Sequence, residues 1–425
     1  MRSIPLLLLS LGLIGCGAEP EPPVAVEAAV EAPAQPAEVL PGVEVLLRDH
    51  AADLAGKRVG ILTNPTGVTR SLESTIDAVR SMPGVEVVRL FSPEHGLRGQ
   101  HLAGDKVNET VDPVSGLPVM SLYGGTRKPT PEMLEGLDVV LYDIQDVGHR
   151  TYTFVSSLTY LMEACEEAAV AVWVLDRPDP TGGHIVSGPM IDEDLLSFIG
   201  IHPVPQVYGM TPGEWAHMIR AERTPGIDLR VIPMDGWRRG MTFGELGWIW
   251  VPTSQHIPQW TTSYFYAMTG TIGELGKVSV GIGTPTPFEL VGQEWLDGVE
   301  FADRLEAYEL PGVIFRPVSY SPFYALGTGK MLHGVQIHIS DYHAVDSAQV
   351  MAALIAELAH IAPERNLFAD YLREDGSPSG FLKALGRRDI AWALSQNEVP
   401  EELLTGRSAA FEAFLQRRES YLIYE

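Results

Sequence analysis

Residues 137–183, LDVVLYDIQDVGHRTYTFVSSLTYLMEACEEAAVAVWVLDRPDPTGG, decide the fold. An apolar run from Val139 ends at Asp143, helical spacing follows over TFVSSLTYLMEACEEA, and a second run, VAVWVL, ends at Asp176-Arg177-Pro178. Short, almost wholly apolar runs separated by a helix predict parallel strands buried on both faces. The same rhythm extends upstream. KRVGILTNPTG (57–67), VEVVRLFSPEHG (85–96) and LPVMSLYGG (117–125) read as strands, and SLESTIDAVRSM (71–82) has helical spacing at Leu72, Ile76 and Val79. The expected fold class is α/β, with a Rossmann-like parallel sheet in the N-terminal part. No GxGxxG turn or P-loop accompanies it, so no nucleotide cofactor is indicated.

In open parallel sheets ligands bind beyond the carboxyl ends of the strands. Here those ends carry Asn64, Glu94-His95, Asp143 with Gln145 and Asp146, and Asp176-Arg177. Asn and Asp are common turn and cap residues. Glu is not a favoured cap, and Pro93 and Gly96 bracket Glu94 tightly. Two carboxylates across a cleft suit glycoside hydrolysis, in which one acid protonates the leaving oxygen, or a hard metal ion. His95, His149 and His184 also follow strand ends, but no HxH or HExxH spacing supports a zinc site. The expectation is no metal and no cofactor.

The chain has 425 residues, a formal charge of −25 and two cysteines. That length suggests more than one domain, and that charge repels phosphate backbones, which argues against a nucleic-acid partner. The N-terminus, MRSIPLLLLSLGLIGCGAEP, has one Arg and an apolar run too short for a comfortable membrane span. Its ending, Leu13-Ile14-Gly15-Cys16, resembles a bacterial lipobox, with Cys16 the lipidated first residue after a signal peptide at 1–15. Gly17 resembles the outer-membrane sorting pattern. Residues 16–40, rich in Ala, Glu, Pro and Val, read as a disordered acidic tether. The expected location is the bacterial cell envelope, with membrane attachment through lipid and the folded part facing the periplasm. Cys165 reads as a small core residue.

The stretches GKRVGILTNPTGVTRSLESTIDAV, LFSPEHGLRGQHLAGDKV, LPVMSLYGGTRKPTPEML, LDVVLYDIQDVGHRTYTFVSSL, VLDRPDPTGG and YGMTPGEWA resemble, in order, signatures of the NamZ family of exo-β-N-acetylmuramidases. The resemblance runs from about residue 43 to the C-terminal FLQRRESYLIYE. It implies a Rossmann-like domain at 41–262 and a smaller α+β domain at 263–425. It also implies release of N-acetylmuramic acid from the non-reducing ends of peptidoglycan fragments, with Glu94 of the FSPEHG motif as the catalytic acid/base. The candidate catalytic set is Glu94, His95, Asp143 and Asp146. Candidate substrate contacts are Asn64, Arg98, Arg150, Asp176, Arg177, His256, Glu274 and Lys277.

The C-terminal part departs from the family pattern. PTSQHIPQW (252–260) and GELGKVSVGIGTPTPFEL (273–290) keep Ser254, Glu274, Ser279, Gly281, Gly283, Thr284, Pro287 and Phe288. His256 and Lys277 stand where the family usually has Asn, and Ile282 where it has Arg. An Arg is the natural fork for the lactyl carboxylate of muramic acid, and Lys277 could replace it only as a point charge. Two functions are therefore carried forward: a glycosidase on muramic-acid-containing glycans, and a catalytically altered glycan-binding lipoprotein. A metal-dependent hydrolase ranks third.

Overall fold

The structure, a computed structural model, describes residues 38–101, 104 and 110–425. Cys16 and most of the expected tether lie outside the described residues. Among the described residues no helix is long and apolar enough to cross a membrane.

The N-terminal part is built on seven strands: β1 (Arg58–Thr63), β2 (Glu86–Ser92), β3 (Thr110–Val111), β4 (Pro118–Ser121), β5 (Val139–Asp143), β6 (Ala171–Leu175) and β7 (Leu229–Ile232). They lie in the order β3-β4-β2-β1-β5-β6-β7, parallel throughout except for β3 against β4. Every residue of β5 is buried, because helices cover both faces. The 15-residue helix α2 (Phe154–Ala168) and helix α3 (Pro212–Glu222) cover one face, where Phe154, Leu158, Leu161 and Trp215 pack on Val140, Tyr142 and Val172. The other face packs on α1 (Thr75–Arg80) and on the 43–54 segment. Helix α1 begins later than the sequence spacing suggests, because the Ser74 hydroxyl accepts the Asp77 N–H and caps it there. The TPGE of residues 211–214 is a capping box: Thr211 accepts from the Glu214 N–H, and Glu214 accepts from the Thr211 N–H at 3.0 Å.

The C-terminal part is smaller. Strands β8 (Leu290–Gln293), β9 (Val313–Tyr320) and β10 (Leu332–Ile339) form an antiparallel sheet in the order β8-β10-β9. Its inner residues Val291, Phe315, Val335 and Ile337 share a core with α4 (Thr262–Gly273), α5 (Gly298–Glu306) and α6 (Ser347–Ile361). The expected α/β architecture with a smaller second domain is what the structure shows.

Arg150, expected at the substrate, joins the two parts instead. It is 2% exposed. One guanidinium nitrogen donates to the Pro189 and Val204 carbonyls at 2.8 and 3.0 Å. The other donates to Ala384 and Leu385 at 2.9 and 3.0 Å, at the end of α7 (Gly380–Leu385). Those are last-turn carbonyls without helical partners, and a cation there is favoured by the helix dipole. Gly386, at φ +80°, leaves room for it: a Cβ there would lie 2.6 Å from the guanidinium. Burial lowers the Arg150 pKa to about 9, against a smaller opposing effect of the Asp192 charge. Arg150→Met strips four buried carbonyls of their donor. It should cost about 3 kcal/mol or more of unfolding free energy, read from the denaturant midpoint. An unchanged midpoint would remove Arg150 from this role.

Candidate active site

After β2 the chain turns at Pro93-Glu94-His95-Gly96, closed by the Gly96 N–H on the Pro93 carbonyl at 3.1 Å. His95 takes φ +69° at the third position, where such a turn demands a left-handed residue and usually has glycine. The strain is held by its ring Nδ1, 3.1 Å from the His101 carbonyl, and by the His101 N–H on the His95 carbonyl at 3.2 Å. Strain of this kind collects where side chains must be aimed. Here it aims Glu94. One carboxylate oxygen accepts the Gly104 N–H at 3.0 Å, and the other accepts the Thr153 hydroxyl at 2.7 Å. Thr153 is the N-cap of α2, so the start of that helix positions its hydroxyl. Tyr123, just past β4, lines the same cavity, and burial together with the Glu94 charge pushes its pKa up to about 12.

Glu94 and His95 form one wall of a cavity of about 610 Å³. Thr151, Tyr152 and Thr153 line it before α2, and Ser254 and His256 line it from the segment before α4. Tyr266, Gly270, Gly273 and Glu274 come from α4 and its end, followed by Ser279, Val280, Ile282 and Phe288. Ala325 and Leu326 reach in from the β9–β10 loop. His256 Nε2 meets the Tyr324 hydroxyl at 3.0 Å across the mouth. Burial, then the nearby His95, lowers its pKa. The Glu274 carboxylate sits against Gly380, where a Cβ would lie 2.4 Å from its oxygen, and burial raises its pKa.

The other nominated residues are elsewhere. Asp143 is fully buried and paired with Arg177, at 2.5 Å from Nε and 2.9 Å from Nη2, and it also accepts the Thr75 hydroxyl. Asp176 accepts from the Arg177 and Gly213 N–H groups and from the Thr211 and Tyr424 hydroxyls. Asn64 accepts from the Thr66 N–H and hydroxyl in a local turn. Arg98 forks onto Asp112 at 3.0 and 2.8 Å, and Lys277 is held by Asp370 at 2.7 Å and the Leu367 carbonyl at 3.0 Å. The rim beyond β1, β5 and β6 is thus filled by its own ion pair and turn bonds, and the opening lies over β2 and β4. Of the twelve side chains nominated for catalysis or binding, Glu94, His95, His256 and Glu274 line the cavity. Tyr123, Thr153 and Tyr266 were passed over: Tyr123 and Thr153 sit inside quoted motifs but read as strand and helix residues. Among the described residues no cluster of three acid, His or Cys side chains is placed to hold a metal ion.

A carboxylate fixed by two donors, in a cavity walled by hydroxyls, aromatic rings and glycines on a Rossmann-like scaffold, is a candidate site for glycosidase chemistry. The families the chain matches are of the glycosidase class. The model described as "Exo-beta-N-acetylmuramidase NamZ, N-terminal" matches residues 59–261, and its C-terminal counterpart matches 264–424. The "Peptidoglycan beta-N-acetylmuramidase NamZ" of Bacillus subtilis (strain 168) is 37% identical over 383 residues, 90% of this chain and 91% of that protein. Two crystal structures of DUF1343 family proteins from Bacteroides fragilis superpose with TM-scores of 0.83 and 0.71, at 37% and 27% identity. Each covers 91% of this chain and 99% of that one. The chain belongs to the NamZ family.

Asp146, nominated for catalysis, is buried away from the cavity lining. One oxygen accepts from the Val147 and Gly148 N–H groups and the Tyr208 hydroxyl at 2.8, 2.9 and 3.1 Å, and the other has no partner. Burial raises its pKa to about 7. A carboxyl with a folded pKa above its unfolded value of about 3.9 stabilises the fold at low pH, and that stability is lost as pH rises toward 7. Asp146→Asn keeps the accepting oxygen and removes the buried charge. Its stability relative to the parent should be near zero at pH about 4 and favourable by on the order of 1 kcal/mol or more above pH about 7, with turnover retained. Loss of turnover would return Asp146 to the catalytic set.

Proposed function

We propose that this chain is a glycosidase that releases N-acetylmuramic acid, or a related amino sugar, from the non-reducing end of peptidoglycan fragments, with Glu94 as the acid/base. The supporting observation is the placement of Glu94 in the cavity wall, both oxygens fixed by the Gly104 N–H and the Thr153 hydroxyl. In this reading Glu94 gives its proton to the glycosidic oxygen as the C1–O bond breaks and the electron pair leaves on that oxygen. Water then adds to C1, and its proton returns to Glu94. Glu274 is the second carboxylate of the cavity. The name of the Bacillus subtilis relative, a peptidoglycan beta-N-acetylmuramidase, supports the same substrate class.

Glu94→Gln keeps the shape and removes the titrating group. Turnover on a natural disaccharide should fall by about a hundred- to ten-thousand-fold with the melting temperature unchanged. The loss should be smaller on a nitrophenyl glycoside, whose leaving group needs little protonation. Glu274→Gln should lose less than Glu94→Gln on the disaccharide. Near-normal turnover in Glu94→Gln would exclude Glu94 as the acid, whereas a parent that binds the sugar and turns over no glycoside would favour a binding protein.

The location proposed with this function is the periplasmic face of a membrane, held by lipid on Cys16. Cys16→Ala should move the protein from the membrane fraction to the soluble fraction. Unchanged membrane association would overturn that assignment.

A further inference from the structure

The substrate proposed above carries a carboxylate, and the cavity lining among the described residues contains no Arg or Lys. The cations nominated from sequence are all engaged: Arg98 by Asp112, Arg177 by Asp143, Lys277 by Asp370, and Arg150 by four carbonyls. Ile282 contributes an apolar surface. One guanidinium beside the cavity-lining Tyr123 is differently placed. Arg127, in the loop after β4, lies over the Phe198 ring at 4.3 Å and the Tyr123 ring at 5.2 Å. The two rings pack on each other at 5.9 Å, and Phe198 stacks on Tyr160. Among the described residues Arg127 forms no ion pair, whereas its neighbour Lys128 is paired with Glu167 at 2.7 Å and Glu163 at 3.6 Å. Tyr123, beneath Arg127, lines the same cavity as Glu94.

We propose that Arg127 is a specificity residue, a preorganised fork for a carboxylate carried by the sugar unit bound beside Glu94. Stacking on aromatic faces fixes the guanidinium plane and leaves its N–H edges free, which suits bidentate capture of a planar anion. Tyr123 connects Arg127 to the cavity wall that carries Glu94, and the anion is assigned to the sugar bound at that wall. Two groups carry this chemistry: the free lactyl carboxylate of a muramoyl residue, and a carboxylate of a stem peptide amide-linked to that lactyl group. This inference rests on the glycosidase reading.

The test compares the parent, Arg127→Met and Arg127→Lys on three nitrophenyl glycosides: a β-N-acetylmuramide, the same compound with its lactyl group as the methylamide, and a β-N-acetylglucosaminide. Direct binding of free N-acetylmuramic acid and N-acetylglucosamine is measured alongside. Arg127→Met keeps the apolar contact with Phe198 and loses the charge. Its kcat/KM on the muramide should fall about 10- to 100-fold, mainly through KM, the range of one charge-assisted fork. The methylamide and the glucosaminide should stay within about twofold, the effect expected of an exposed side chain that touches neither. Arg127→Lys should fall between the two. With a peptide-bearing muramide as a fourth substrate, loss on it and not on the free muramide would support the stem-peptide carboxylate as the group held, and loss on the free muramide would support the lactyl carboxylate. Equal loss on all substrates, or no loss on any, would overturn the proposal. Should the parent turn over none of them, the glycosidase reading fails. The inference is then judged by whether Arg127→Met weakens binding of muramic acid and not of glucosamine.

Discussion

The Arg150 guanidinium, buried with no ion pair among the described residues and held through its two terminal nitrogens by four backbone carbonyls, is the constraint on which the arrangement of the two parts depends. Two of its acceptors belong to the N-terminal part and two to the final turn of α7 in the C-terminal part. A charge taken from water must be repaid by well-placed dipoles, and these dipoles come from segments far apart in the chain. Arg418 repeats the device, donating to the Tyr208, Gly183 and Gly209 carbonyls from the last long helix. Since Ala384 also lines the cavity, the residue that Arg150 tethers is itself part of the site wall. The cavity is therefore fixed on both sides by the same bond set.

Much of this was legible in the sequence. The strands and the long helix after β5 follow from apolar runs and spacing, and the family resemblance carried Glu94. The location of the cleft along the strand ends was not legible. Asp143 and Arg177 are 34 residues apart, and no local pattern shows that they neutralise each other at the end of β5. Arg98 and Asp112 hide one another in the same way. A charged residue at a strand end reads identically whether it faces a ligand or a partner, and long-range pairing decides between them. Glu94 escaped this because its partners are an N–H and a hydroxyl, which hold a carboxylate in place without consuming its charge.

The C-terminal half of the site was legible only through the motif that departs from the family pattern. His256 and Ile282 both reach the cavity, so these departures fall on the ligand side of the fold rather than in its core. Lys277, the nominal replacement for the missing Arg, faces Asp370 instead.

Helix α4 shows what the cavity costs. Gly270 and Gly273 lie one turn apart and both face the opening, and a Cβ on either would come within 3.1 Å of a neighbour, the Tyr266 ring or a Val280 methyl. Each glycine inside a helix gives up about 1 kcal/mol relative to alanine. The space is made by omitting side chains, and mutation can fill it easily, since glycine and alanine codons differ by one base. A lineage released from selection on its substrate would drift toward a sturdier helix and a smaller hollow.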